Sequence, residues 1–152
     1  MNPLRLMFRL GMVGALLALL PACTSFEHRW AAAPKPRRSS PFQGRWVGTW
    51  DSTKRPGEGG RLQCVFTPEC GCGEYVAAFH AHWKIFASDY TALFQTRRQG
   101  DHLVFEGTHQ MPAIFGGMYH FRGRVSATNF STEYHSSYDD GTFTLHRETV
   151  AR

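Results

Sequence analysis

Cysteines, histidines and tyrosines hold the reactive side chains of this 152-residue chain. Cys64, Cys70 and Cys72 fall close together. A thiol can form a disulfide, ligate a soft metal or act as a nucleophile. Cys70 and Cys72 flank a single glycine, a spacing that rarely pairs comfortably. The expected bridge therefore joins Cys64 to Cys70 or Cys72 and staples the second hairpin. The alternative leaves Cys64 as a buried free thiol. His80 and His82 stand two apart and would point the same way from a strand, with Cys70 or Cys72 as a third metal ligand. That pattern matches no standard zinc spacing, so no metal and no cofactor are expected. No serine sits in a nucleophile elbow. Gly57-Glu58-Gly59-Gly60 lacks the following helix and lysine that a phosphate cradle needs. The chain is expected to be non-enzymatic.

Cys23 is set apart by what precedes it. Arg5 and Arg9 lead into an apolar block from Leu10 to Leu20, then Pro21, Ala22 and the cysteine. The block is shorter than the roughly twenty residues a spanning helix needs, so it reads as the core of a secretory signal. Leu20-Pro21-Ala22-Cys23 resembles the lipobox of bacterial lipoproteins. The resemblance implies cleavage before Cys23, acylation of Cys23 with palmitate-type chains, and a membrane anchor in the cell envelope. Thr24, where an aspartate would retain the protein at the inner membrane, implies the outer membrane.

The elements that follow divide the chain into a signal peptide (1–22), a lipidated flexible tether (23–42) and one domain (43–152). Pro34, Pro36 and Pro41, with Ser39, Ser40 and several cations, give the tether its linker character. The formal charge of +5 sits outside the domain. From Gln43 onward eleven basic residues balance eleven acidic ones. A nucleic-acid binder would concentrate positive charge on its domain, so nucleic acid is not an expected partner.

Within the domain the pattern has period two. Trp46-x-Gly48-x-Trp50 is followed by Leu62, Cys64 and Phe66, then by Tyr75, Ala77, Phe79, Ala81 and Trp83. Next come Tyr90, Ala92 and Phe94; Leu103, Phe105 and Gly107; Tyr119, Phe121, Gly123 and Val125; Phe130, Thr132 and Tyr134; and Phe143 with Leu145. Polar residues fill the gaps, and Gly, Pro and Asp clusters separate the runs. Eight strands with short connections predict an antiparallel, up-and-down β-barrel. A two-sheet sandwich shares the alternation, but the regular spacing and lack of a long crossover favour the barrel.

Gly44-Arg45-Trp46 near the start and Arg147 near the end resemble the lipocalin and calycin pattern. That resemblance implies that Arg147 packs over Trp46. Gly44-x-Trp46-x-Gly48-x-Trp50, Gly116-Gly117-x-Tyr119-x-Phe121-x-Gly123 and Asp140-Gly141-x-Phe143-x-Leu145-x-Arg147 resemble secreted or lipid-anchored proteins of the planctomycete and verrucomicrobial kind. This second resemblance implies the same fold and address and brings no reaction. Two uses of the lumen are then open. In the first, a small apolar or aromatic ligand sits in the barrel mouth against Trp50, Tyr75, Phe79, Tyr90, Tyr119 and Tyr134, with tyrosine hydroxyls as polar handles. In the second, the rings fill the barrel, and the protein is a structural or interaction lipoprotein.

Overall fold

A computed structural model describes residues 25–148. Cys23 and the signal segment lie outside the described residues. The described chain opens with a short helix, α1 (Phe26–Ala31), whose first turn is capped by the Ser25 hydroxyl accepting from the His28 amide. Eight strands follow: β1 (Gly44–Ser52), β2 (Gly59–Pro68), β3 (Glu74–Trp83), β4 (Phe86–Gln99), β5 (His102–Gln110), β6 (Met118–Val125), β7 (Asn129–His135) and β8 (Asp140–Arg147). Each pairs antiparallel with its chain neighbour, and β8 pairs back onto β1. This is the closed up-and-down barrel that the alternation predicts, and closure leaves no open sheet edge.

Register aligns the inward residues into layers. Trp46 stands opposite Cys64, Cys64 opposite Phe79, and Phe79 opposite Tyr90. The lumen is packed ring on ring. Phe66 stacks on Tyr75 at 4.5 Å between centroids, and Phe94 on Phe105 at 4.6 Å. Phe130 meets Trp46, Phe66 and Phe105. Gly123 seats one of these rings: a Cβ there would stand 2.7 Å from the tip of Phe105. Trp46 is 0% exposed.

The barrel has two unlike ends. Strands β1, β3, β5 and β7 begin at the first end, which we call the strap end, and finish at the second, the mouth end. The β1–β2, β3–β4, β5–β6 and β7–β8 connections all lie at the mouth.

Within the expected tether over 23–42, Phe26 and Phe42 pack on the barrel, while residues 27–29 and 35–39 stay exposed. Phe26 is buried against Val65 of β2 and Ala78 of β3, with Trp30 and Ala33 alongside. Val65 and Ala78 are directly paired across the two strands and face outward. They form an apolar spot that water would otherwise cover. Arg45 holds the far end of α1, donating from Nε to the Trp30 carbonyl at 2.8 Å with its guanidinium over the Trp30 ring. The chain then crosses the barrel opening and inserts Phe42, 2% exposed, into the core. Among the described residues no helix is long and apolar enough to cross a membrane.

Candidate functional site

Arg147 locks the strap. Its guanidinium lies 4.0 Å from the Trp46 ring. Its Nη1 donates to the Gln43 carbonyl at 2.5 Å, and its other arms reach the carbonyls of Pro41 and Ala127. A planar fork can cover an indole face and satisfy several carbonyls together. Burial pulls the Arg147 guanidinium down to about 10. Trp46 Nε1 donates to the Phe42 carbonyl. This end is built to close the barrel.

The six residues expected to line a ligand mouth do not gather in one place. Tyr75 lies at the strap end, stacked on Phe66 with its hydroxyl 3.4 Å from that of Ser40. The reason is register: Tyr75 opens β3 while Trp50 nearly ends β1. Phe79 is fully buried below the mouth. The other four all lie toward the mouth end of their strands. Tyr90 stacks on Phe79, and Tyr119 lies against Tyr134. Their polar atoms are largely engaged. Trp50 Nε1 donates to the His82 carbonyl at 2.9 Å, and the Tyr119 hydroxyl to that of Phe115 at 3.0 Å. The Tyr134 hydroxyl donates to Asp139 at 2.8 Å. Burial, aided by the carboxylate it bonds, pushes the Tyr134 phenol far up; burial does the same to Tyr90.

Two mouth residues escape the period-two pattern. His109 follows the last apolar residue of its run and reads as a loop or outward histidine. It in fact continues the inward face of β5 after Leu103, Phe105 and Gly107, and its ring lies 5.2 Å from that of Tyr90. Burial lowers its pKa. Asp139 reads only as part of a turn. It is 4% exposed and accepts from Ser52 Oγ at 2.6 Å and from Tyr134, with Arg55 at 3.5 Å. A buried carboxylate with hydroxyl and guanidinium partners is a structural tie between the β1–β2 and β7–β8 loops. The spacing Ser52…Arg55…Asp139 carries no local signal.

The expected staple of the second hairpin is overturned. Cys70 and Cys72 are bridged to each other at the exposed tip of the β2–β3 loop, with Cα atoms 5.3 Å apart. Cys64 is a free, buried thiol. Its alternation places it in the lumen, and the loop bearing the other two does not fold over it. Burial pushes the Cys64 thiol well up, so it is inert as a nucleophile. His80 and His82 do sit together, rings 4.6 Å apart, on the outer wall. The Cys70–Cys72 loop lies at the opposite end of β3, so it adds no ligand to them. His80 instead pairs with Asp89 at 2.5 Å and stacks under Phe26. Among the described residues the one metal-capable cluster is Cys70, Cys72 and Glu74, and the bridge occupies both its sulfurs.

A broad trough of about 860 Å³ runs along the outer wall over β4–β8. Its polar rows follow the register: Gln95, Glu106, Arg122, Glu133 and Thr142 in one, and Thr108, His120 and His135 in the next. It is open to solvent and carries no buried, unpartnered polar group aimed into it.

No protein-family model matches the chain, and no curated protein matches it.

Proposed function

We propose that this chain is a lipid-anchored cell-envelope protein, held by an acylated Cys23 and destined by Thr24 for the outer membrane, whose barrel is a solid body. It works through its outer surface and loops. The observation that carries this reading is the lumen. Rings from all eight strands interlock from Phe42 to Phe143, and the mouth hydroxyls of Tyr119 and Tyr134 bond to the protein itself. A ligand would have to displace these contacts, and a buried polar group left without its partner is costly.

The anchoring half of the proposal rests on Arg5, Arg9, the apolar block and Leu20-Pro21-Ala22-Cys23. Feeding cells an alkyne palmitate analogue should label the wild-type chain and leave Cys23→Ala unlabelled and released from membranes. Equal labelling of both would end that half. Native mass spectrometry of the purified chain tests the other half. A mass equal to chain plus acyl groups supports a filled barrel. A stoichiometric small apolar molecule that survives purification, and is lost in Trp50→Ala, would restore the ligand-binding reading.

A further inference from the structure

Among the described residues, large apolar side chains are exposed almost entirely at one end of the barrel. Ile85 (92% exposed) and Phe86 tip the β3–β4 hairpin, while Ile114 (77%) and Phe115 belong to the β5–β6 connection and Met118 opens β6. Tyr138, in the β7–β8 loop, completes the set, and only Leu93 lies elsewhere, on the outer wall. The strap end presents none. The β5–β6 connection from Met111 to Gly117 contains no charged residue. Two cations of this rim lie on its aromatic rings: Lys84 Nζ is 4.6 Å from Trp83, and the Arg55 guanidinium is 4.1 Å from Tyr138. Of the rim acids, Glu58 and Asp139 share the single cation of Arg55, Asp140 pairs with Lys54, and Asp51 meets no cation among the described residues. Aromatic rings and aliphatic tips, with cations lying on the rings, are the composition of a surface that lies at a membrane interface.

The chain's own geometry says which end meets the lipid. Helix α1 begins with Phe26 stacked on His80 and ends at Arg45, at the start of β1. Phe26 spans Ala78 and His80, five and three residues from the mouth end of β3 and four and six from its strap end. Cys23 precedes Phe26 by three residues, so the extended chain places it within about 11 Å. Helix α1 thus runs from mid-barrel toward the strap end, and its N-terminus faces the mouth.

We infer that the mouth rim, Ile85, Phe86, Ile114, Phe115, Met118 and Tyr138, seats in the bilayer that holds the acylated Cys23, so the barrel stands mouth-down on the membrane. This inference rests on the anchoring proposed above and adds the orientation. It commits the apolar rim to lipid, with an envelope protein as the competing occupant.

The test uses the full acylated chain in vesicles of phosphatidylethanolamine and phosphatidylglycerol. Ile85→Cys, Ile114→Cys and, at the strap end, Ala127→Cys each carry a fluorescent label. Both Ile side chains are exposed, so their replacement removes no packing. Cys64 is buried and Cys70 is bridged to Cys72, which leaves the introduced thiol to react. Lipid-borne nitroxide should quench the labels at 85 and 114 several-fold more than the label at 127. Vesicle flotation is scored in the same samples. A chain that floats with all three labels equally accessible to aqueous iodide overturns the orientation and leaves the anchor standing. A chain that does not float overturns both. Rim labels that stay aqueous on vesicles yet become shielded when envelope proteins are added overturn the lipid assignment in favour of a protein partner.

Discussion

The two ends of this barrel solve the same problem in different ways. Both must cover the last layer of rings where the strands stop. The strap end does it with an apolar plug and a cation over an indole: Phe42 fills the opening, and Arg147 covers Trp46 while bonding the strap carbonyls. The mouth end does it with short loops tied by one buried carboxylate, Asp139, and leaves its outermost apolar residues exposed. A barrel end that needs only stability can be sealed. An end that keeps apolar tips in water, at a cost per unit area of surface, has a reason outside its own fold.

Breaking the sealed end should cost most. Trp46→Ala removes a fully buried indole and should lower stability by about 3–5 kcal/mol, measured by urea denaturation. The matching change at the mouth, Trp50→Ala, removes a half-buried indole and one hydrogen bond and should cost about half as much. Equal losses would erase the distinction between the ends. Asp139→Ala comes next. It strands the Tyr134 and Ser52 hydroxyls, and each unpaired buried group costs about 1–3 kcal/mol. If Asp139 is a structural tie, Tyr134→Phe in the Asp139→Ala background recovers part of the loss. Arg147→Lys ranks third, at about 1–2 kcal/mol, because an ammonium cannot reach three carbonyls while lying over Trp46. A Lys variant as stable as wild type would show that the guanidinium fork is dispensable there.

Much of this contrast between the ends is legible in the residues themselves. The eight strands follow from alternation, because a lumen of apolar rings imposes period two on every strand that lines it. Trp46 and Arg147 can be paired because they lie at opposite ends of that pattern. The rest is hidden for physical reasons. The strap reads as a linker because proline and charge dominate it. The sign that something covers the barrel wall lies in Val65 and Ala78, two apolar residues at polar positions, adjacent only once β2 and β3 are in register. Asp139 and His109 are polar residues in buried places, so the same rule that finds the rings passes over them. The Cys70–Cys72 bridge joins residues whose spacing argues against it, and the lumen position of Cys64 leaves each no other partner among the described residues.

His109 offers the smallest and most selective probe of the mouth. Its side chain is partly buried beside Tyr90, and burial holds its pKa below the ordinary 6.5. An unfolded chain therefore takes up a proton near pH 6.5 while the folded one resists until lower pH. Stability carried by neutral His109 is present above that window and lost as the pH falls through it. Wild-type and His109→Gln proteins should give parallel denaturation midpoints from about pH 9 to pH 7. Below about pH 6.5 the wild type should lose ground to the variant. The strap end has no histidine in its seal, so an Arg147→Lys background should leave this difference unchanged. A wild-type and variant pair that stay parallel down to about pH 5 would mean that His109 is as wet as the outer-wall histidines, and that the mouth is open where the geometry shows it closed.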